Sequence, residues 1–224
     1  MIIPTASRVL LLSVLVAASS AAQDKSASLS VIRIRPQDAL GRNIGTSVGI
    51  GGTYAMRIGS NGVFSIRADA GITSYDDESH TAGFGGDIGG RVQVNVKTNN
   101  YILPMSLSAE AARPTGRLRP YISAGAGATA FFTESRIEGT DDHQAIASTS
   151  NHSDAAASWV AGGGVYISIR SLALDIGVHY VGGGKSDYLA RGSVVDLPNG
   201  EVKISPLHGT TNFMMLRVGT RFAL

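Results

Sequence analysis

The sequence predicts an all-β protein, an eight-stranded antiparallel up-and-down transmembrane β-barrel. Three observations predict it. Hydrophobic residues alternate with tiny or polar residues through most of the chain, which is the pattern of strands with one apolar face. Glycine is abundant, at 28 of 224 residues, and only 16% of residues are charged. Short and long connections alternate strictly between the predicted strands, as in membrane barrels whose tight turns share one rim.

Composition also excludes several classes of protein. The sequence contains no cysteine, which removes disulfide scaffolds, thiolate nucleophiles and cysteine-based zinc sites. The formal net charge is only +2, so no basic field indicates a nucleic-acid partner. Hydrophobic residues make up 43% of the chain, which argues against a disordered protein.

Residues 1–22 have the pattern of a secretory signal peptide. Arg8 supplies positive charge ahead of a short apolar run over 9–18, and small residues up to Ala22 form a cleavage site. The apolar run is shorter than the ~20 residues that a membrane-spanning helix needs. We therefore expect export, cleavage near Ala22 and a mature barrel domain over 23–224.

The alternation defines the strands in order. The first, over 27–35, alternates weakly, and we count it because it makes the number of strands even, as in bacterial barrels. Clear alternation follows over 44–57, 64–73, 101–111, 121–132, 159–170, 172–180 and 214–224. Strands of about ten residues suit a tilted bilayer crossing.

The connections fall into two classes. Short joints lie at 59–62, 113–119 and 170–171, and long polar loops span roughly 76–100, 134–154 and 185–210. The Asn-Gly dipeptide in the first short joint favours a tight hairpin turn. We expect both termini at the rim of short turns and three long loops at the opposite rim.

The less apolar face of the strands carries charges of both signs among glycine and serine. A soluble β-sandwich or a lipocalin-like barrel also alternates, but it places its apolar residues inside. A charged face with so many tiny residues favours the crowded interior of a small membrane barrel. The predicted lumen charge cluster consists of Arg57, Arg67, Asp69, Glu110, Arg170, Asp175, His179, Arg217 and Arg221.

The distance of each charged residue from the short turns, counted along its strand, predicts which members of the cluster are neighbours. Asp175 is predicted to neighbour Arg217, Arg221 or both, with the other charged residues of the hairpin over 64–111 at comparable depth. On the opposite face, Ile176 and Val218 are expected to contact lipid. An interfacial aromatic girdle is expected from Tyr54, Tyr75, Tyr101, Trp159 and Tyr180.

The C-terminal residues 217–224 resemble the assembly signal of bacterial outer-membrane proteins, in which an aromatic residue lies two positions before a hydrophobic terminus. Gly219, Phe222 and Leu224 match this signal, although the usual last residue is phenylalanine. The segment 115–127, with its Pro-Tyr and spaced glycines, resembles small barrels of the OmpA/OmpX/OmpW type. The resemblance implies an outer-membrane location, contact with outer-membrane lipid and lipopolysaccharide, and insertion by the barrel-assembly machinery.

Several motifs contain residue types that could carry chemistry. His152-Ser153-Asp154 offers a base, a hydroxyl and an acid, but consecutive residues rarely converge into a triad. The acidic segments around 76–80 and 141–143 do not match calcium-loop spacing. The glycine triplets 162–164 and 182–184 lack the residues of a phosphate loop. We therefore predict no catalytic residues, no metal site and no cofactor.

Eight strands enclose a lumen just wide enough to be filled by side chains, so a large pore is not expected. The leading hypothesis is a non-enzymatic surface protein with a structural role or loop-mediated contacts to an unidentified extracellular ligand. The first alternative, implied by the resemblance, is a narrow OmpW-like channel for small hydrophobic molecules. The second is a lipid A-modifying barrel enzyme.

Overall fold

The computed structural model describes residues 25–83, 93–139, 145–196 and 202–224. The long strands are β1 (Lys25–Pro36), β2 (Ser47–Ile58), β3 (Phe64–Gly83), β4 (Gln93–Ala112), β5 (Leu118–Gly139), β6 (Ala145–Ile169), β7 (Leu172–Gly183) and, last in the chain, β12 (Phe213–Ala223). Between β7 and β12 lie the short strands β8 (Lys185–Tyr188), β9 (Val194–Asp196), β10 (Val202–Ile204) and β11 (Leu207–Thr210). A short helix, α1 (Asp38–Asn43), joins β1 to β2. The predicted signal peptide, 1–22, lies outside the described residues.

The long strands form a closed antiparallel barrel. Within the described ranges its eight members are ordered β1-β12-β7-β6-β5-β4-β3-β2. Long strands that follow one another in the sequence are therefore paired, and the first and last strands pair to close the barrel. The seam is the pairing of β1 with β12, which aligns Val31 with Val218. The predicted fold class is confirmed, including the weakly alternating first strand.

The weak alternation of β1 has a structural cause. In its first half Leu29 and Val31 face outward, whereas in its second half Ile32 and Ile34 face the interior and Arg33 is exposed. The apolar residues therefore change face halfway along the strand. A pattern search that assumes one apolar face for the whole strand misses this change.

Two of the three predicted long loops are largely strand, which corrects the expectation for 76–100 and 134–154. The β3–β4 ladder continues to Gly83 opposite Gln93, and the β5–β6 ladder continues to Glu138 opposite Ala145. Polar residues on both faces removed the amphipathic signal there, although backbone pairing continues. The third predicted loop, 185–210, holds two small sheets, β8–β11 and β9–β10.

The outer surface carries an apolar belt. Its exposed large hydrophobic residues are Leu29, Val31, Val48, Ile50, Met56, Ile58, Phe64, Ile66, Met105, Leu107, Leu118, Ile122, Ile169, Leu172, Val178, Leu216 and Val218. Exposed side chains of this kind in a closed barrel are the lipid-facing band of a membrane barrel. Among the described residues, no helix has the length and hydrophobicity to span a membrane.

The predicted aromatic girdle is found only in part, because Tyr54 lies within the belt, between Ile50 and Met56, and Tyr75 is not on the outer surface. Tyr54 and Trp159 point outward, and Trp159 packs against Tyr180 with ring centroids 5.3 Å apart. Tyr101 stacks on Phe132. The prediction for Tyr75 is wrong, because the strand register turns this residue into the lumen, where it is buried.

The interior has two layers. We call the end with short turns and both described termini the turn rim, and the opposite end the loop rim. Charged residues fill the half nearer the turn rim. The half nearer the loop rim is filled by an apolar plug consisting of Ile32, Ile34, Leu40, Ile44, Tyr75, Ile102, Phe131, Val160, Val181, Tyr188, Ala190, Phe213 and Met215. The expected polar and charged interior is therefore found nearer the turn rim, whereas nearer the loop rim the apolar plug is accompanied by buried polar side chains such as Thr73, Asn100 and Thr133.

Candidate functional site

The charged layer is centred on Arg67, whose side chain is 1% exposed. Its Nε lies 2.8 Å from Asp69 Oδ2, and its Nη1 lies 3.0 Å from Glu110 Oε2 on the neighbouring strand. Both carboxylates lie on the inward face of the β3–β4 ladder. Arg67 therefore crosslinks two strands through charge-assisted hydrogen bonds in a space that excludes most water.

Arg217 joins the same layer from β12. Its Nη1 lies 2.6 Å from Asp69 Oδ1, and its Nη2 lies 3.3 Å from Asp175 Oδ2 on β7. The structure thus brings Asp175 to Arg217. Arg221 instead lies 3.4 Å from Glu110 Oε1. Asp69 is shared by two guanidinium groups, so the contacts form one network rather than isolated pairs.

Two tyrosines complete this network. The Tyr166 hydroxyl donates to Glu110 Oε2 at 2.6 Å, and the Tyr121 hydroxyl donates to Asp175 Oδ1 at 2.9 Å. Their rings stack on each other with centroids 4.4 Å apart. Sequence reasoning did not select them. The available signal was a large aromatic residue on the face otherwise made of glycine and serine.

The network is charge-balanced. Within the described residues, three arginines meet three carboxylates, and the members are Arg67, Arg217, Arg221, Asp69, Glu110 and Asp175. Buried ions are tolerated only when each charge is paired and hydrogen-bonded. Their chemical role is to bind β3, β4, β7 and β12 together and to occupy the lumen.

The other three predicted members of the lumen charge cluster do not belong to the charge-balanced network. Arg57 is half-buried near the turn rim. Arg170 was expected in the lumen but is exposed in the turn between β6 and β7, where its positive φ of 56° turns the chain. His179 is buried in the lumen, and neither ring nitrogen has a hydrogen-bond partner among the described residues. Its ring centroid lies 6.3 Å from that of Tyr121.

The apolar plug is covered at the loop rim by the segment that follows β7. The Tyr75 hydroxyl donates to the Leu189 carbonyl oxygen at 2.6 Å, and Asn43 Nδ2 of α1 donates to the Tyr188 hydroxyl at 2.8 Å. The Tyr188 ring also packs 5.7 Å from that of Phe131. The segment is therefore bound to the barrel wall, to α1 and to the plug.

The motif His152-Ser153-Asp154 holds β8 in place. Asp154 Oδ2 accepts hydrogen bonds from the Ser186 hydroxyl at 2.9 Å and from the Asp187 amide at 2.7 Å. These bonds, the backbone one first, lower the pKa of the Asp154 carboxyl, which lies beyond the apolar belt. His152 Nε2 lies 3.1 Å from the Asp187 carbonyl oxygen.

Ser153 lies between these two residues on an extended strand, and its side chain is exposed. Successive side chains of a strand point to opposite faces. The hydroxyl is therefore turned away from both His152 and Asp154, and the three groups do not converge as a nucleophile, base and orienting acid. The histidine and aspartate of this motif instead attach a loop strand to the barrel.

The residues of the assembly signal lie at the seam. Gly219 packs directly against the backbone of Leu29 and against Ser30, where a Cβ would overlap both. Phe222 is aligned with Ala27 on one side and with Leu172 on the other. The Leu224 amide donates to the Lys25 carbonyl oxygen at 3.1 Å.

For metals, the described part of the chain contains no group of three or more His, Asp or Glu residues arranged to hold an ion. The acidic segment 141–143 and the side chains of Asp77, Glu78 and His80 lie outside the description.

No protein-family model matches the sequence, and no curated protein matches it. Solved structures that are similar in fold include three outer-membrane or surface proteins. Ail, the attachment invasion locus protein of Yersinia pestis, solved with the heparin analogue sucrose octasulfate, has a TM-score of 0.43 and 14% identity over 89% of this chain and 98% of that chain. Neisserial surface protein A has a TM-score of 0.41 and 13% identity over 89% of this chain and 97% of that chain. A major outer membrane protein from Thermus thermophilus has a TM-score of 0.44 and 11% identity over 88% of this chain and 99% of that chain.

These values are too low to carry an argument about function, and the assignment depends on the chain's own strand pairing and outer belt. With a closed barrel of eight described strands and an apolar outer surface, the chain has the architecture of a small outer-membrane β-barrel.

Proposed function

We propose that the protein is a non-conducting, non-enzymatic barrel of the bacterial outer membrane that presents a fixed surface at its loop rim. One observation carries the proposal: the lumen is blocked at two levels, by a charge-balanced network nearer the turn rim and by an apolar plug nearer the loop rim. The loop-rim surface then remains as the part of the molecule available for contacts outside the cell.

The membrane assignment is supported by the two faces of the strands. Ile122 and Leu107 are more than half exposed on the outside, whereas Glu110 and Asp175 are almost fully buried inside. Exposing so much apolar surface to water is costly, whereas lipid accommodates it. The belt is proposed to contact outer-membrane lipid and lipopolysaccharide, and the last strand is proposed to be recognised by the barrel-assembly machinery.

A fixed loop-rim surface is supported by its attachments. Tyr75 and Asn43 hold the segment 188–190, and Asp154 holds β8. These contacts join the loop to β3, to α1 and to β6. Ordering a loop before it binds reduces the entropy lost on association, so such a surface suits recognition of an extracellular ligand.

The two alternatives have less support. A channel for small hydrophobic molecules needs a path through the lumen, and the buried side chains of Phe131, Phe213 and Arg67 obstruct that path. A lipid A-modifying enzyme needs an activated nucleophile. The hydroxyl of Ser153 faces away from the histidine and the acid beside it.

Conductance in planar bilayers tests the proposal. We expect no stepwise current from the wild-type protein. As a positive control, both layers must be opened: a variant with Arg67, Asp69 and Glu110 changed to serine, and with Phe131 and Phe213 of the apolar plug changed to alanine, is expected to conduct more. Unitary steps from the folded wild-type barrel would support the channel instead. Analysis of lipid A from cells with and without the protein tests the enzyme.

Epitope insertion tests which rim faces outward. A tag beside Gly192, in the loop after β8, is expected to be labelled by antibody on intact cells. A tag at Asn61, in the tight turn between β2 and β3, is expected to be labelled only after the outer membrane is permeabilised. The reverse pattern, or labelling of neither tag in outer-membrane fractions, would contradict the proposed orientation.

A further inference from the structure

A cavity of about 200 Å³ lies at the turn rim, beneath the charge-balanced network. Its lining is strongly cationic. Five basic side chains reach it from positions spread around the rim, namely Lys25, Arg57, Arg119, Arg170 and Arg221. Among the described residues that line the cavity there is no aspartate or glutamate. The described lining of the cavity therefore carries a net positive charge.

The cations repel one another. Burial, and after it the charges of Arg221 and Arg57, oppose the charge on Arg119, whereas Tyr166 and Glu110 favour it. Glu110 lies 3.4 Å from Arg221, but the same carboxylate also contacts Arg67 in the network above. Like charges held together in a partly desolvated space raise the energy of the empty cavity. An anion bound between them lowers it.

The cavity also contains positioned hydrogen-bond donors. Arg119 Nε is buried and has no hydrogen-bond partner among the described residues. The guanidinium carbons of Arg119 and Arg221 lie 5.5 Å and 4.3 Å from the centroid of the Tyr166 ring, so one aromatic ring orients both groups. Ser168 and Ser171 add hydroxyl groups to the lining.

We propose that this turn-rim cavity is a binding site for a phosphate-bearing anion. Guanidinium groups form paired, charge-assisted hydrogen bonds with phosphate oxygens. The cations converge from β1, β2, β5, β12 and the β6–β7 turn, which suits a tetrahedral group with oxygens in several directions better than a planar carboxylate. The volume lies below the ~300–1,000 Å³ of pockets for drug-sized ligands, so the site suits a single phosphate group.

Two sources supply this chemistry at the turn rim: soluble phosphate in the aqueous space, and the phosphate of an anionic lipid headgroup. The site is independent of the function proposed for the loop rim.

Calorimetric titration of the folded full-length barrel with inorganic phosphate, in zwitterionic detergent at constant ionic strength, tests the site. We expect saturable binding at one site. Arg119→Gln and Arg170→Gln are each expected to weaken it by roughly tenfold, the usual effect of losing one charged hydrogen bond. Arg117→Gln is the matched control, because Arg117 is exposed at the same rim and does not line the cavity.

The affinity of Arg117→Gln for phosphate is expected to stay within about twofold of the wild-type affinity. Heat-modified gel mobility of each variant verifies that the barrel is folded. Absence of saturable binding to folded wild-type protein would overturn the proposal, and so would equal weakening by Arg117→Gln.

A second arm distinguishes the sources. The same titration is made with the barrel in vesicles of phosphatidylcholine and in vesicles containing phosphatidylglycerol. If phosphatidylglycerol lowers the apparent affinity for phosphate in wild type, and does so less in Arg119→Gln, the headgroup occupies the site. If phosphatidylglycerol has no effect, soluble phosphate is the ligand. Both results support the site, whereas an equal loss of affinity in wild type and Arg119→Gln indicates general surface repulsion and contradicts it.

Discussion

Arg217 and Asp175 contact each other diagonally across the pairing of β12 with β7, with Nη2 3.3 Å from Oδ2. In the register of these strands Arg217 is opposite Gly177, and Asp175 is opposite Gly219. Each charged side chain therefore faces a residue with no side chain, which leaves room for the guanidinium and the carboxylate to meet in the lumen. Tiny residues and charges on one face are complementary parts of the same packing.

This contact gives the first prediction. Asp175→Ala removes one of the carboxylates that Arg217 contacts in a buried site. Breaking a buried ion pair in this way is expected to lower the free energy of unfolding by about 3–5 kcal/mol. Arg217→Ala is expected to have a similar effect, and the double variant is expected to lose less than the sum. Urea unfolding in detergent or lipid measures all three.

Arg136 and Glu134 are the matched control for this cycle. Their ion pair has an N–O distance of 3.1 Å, but the side chains are 45% and 30% exposed. Exposed pairs contribute only ~0–1 kcal/mol. Additive losses below about 1 kcal/mol in the lumen cycle, equal to those of the exposed pair, would show that the charged layer is wet and loosely packed.

A second prediction concerns Gly177. A Cβ at this position would overlap the Tyr121 hydroxyl, which donates to Asp175 and accepts from Arg217 at 3.3 Å. Gly177→Ala is therefore expected to destabilise the barrel by ~1–3 kcal/mol, the usual cost of overpacking. Gly52→Ala is the control, since its Cβ would point outward with the nearest atom at 3.8 Å. Equal urea midpoints for the two variants would contradict this packing.

The period-two pattern predicted β7 and β12 well because each has one lipid face along its whole length. It failed where the environment of a face changes. Ile32 and Ile34 enter the apolar plug while Leu29 faces lipid, so β1 lacks a single apolar face. The ends of β3 and β4 beyond the belt are polar on both faces, and only backbone pairing reveals them.

The charged layer was predictable in composition but not in its pairing. The height of Asp175 above its short turn predicted that it neighbours Arg217, Arg221 or both, and the structure brings it to Arg217. Arg221 contacts Glu110 because its long side chain extends across the lumen. The alternation of residues along the sequence does not contain this information. The role of Tyr166 was missed for the same reason.

A third prediction tests the outer face. Val218 is 43% exposed near mid-height of β12, where it is expected to contact lipid. Val218→Arg is expected to cost about 2–4 kcal/mol in a bilayer, because arginine at the midplane of a barrel is poorly solvated. Ile204→Arg, at an exposed position of β10 beyond the belt, is the control and should change stability little. Similar unfolding free energies for both variants in lipid vesicles would place Val218 in water.

A fourth prediction follows from the lowered pKa of Asp154. The Asp187 amide and the Ser186 hydroxyl stabilise the charged carboxylate, so folding of β8 onto the barrel depends on ionisation. Because the folded pKa is below the ordinary value of about 3.9, this stabilisation is present above that value and is lost as the pH falls through the folded pKa. Protection of the Asp187 amide from hydrogen exchange is expected to fall in that acidic range.

Asp154→Asn isolates the contribution of the Asp154 carboxyl from that of every other group. Asparagine retains an acceptor oxygen but cannot titrate. In this variant the Asp187 amide should be less protected from hydrogen exchange at neutral pH, and its protection should not fall further through ionisation at position 154 in acid. Identical pH profiles for wild type and Asp154→Asn would assign the acid effect to another group.

The last prediction concerns assembly. Phe222 lies on β12 at the seam, aligned with Ala27 of β1, and it carries the aromatic position of the assembly signal. Phe64 also lies near the turn rim and is 58% exposed on the outside, whereas Phe222 is only partly exposed, and Phe64 does not belong to the last strand. Phe64→Ala should therefore lose at least as much lipid contact as Phe222→Ala.

Only Phe222→Ala is expected to reduce the amount of folded protein in the outer membrane, because recognition of the last strand precedes barrel closure. Both variants should refold from urea into detergent to a similar extent, which separates recognition from stability. Quantification of unboiled gels from membrane fractions measures the cellular yield. Equal yields of the two variants would mean that the aromatic residue at 222 acts only as part of the lipid-facing belt.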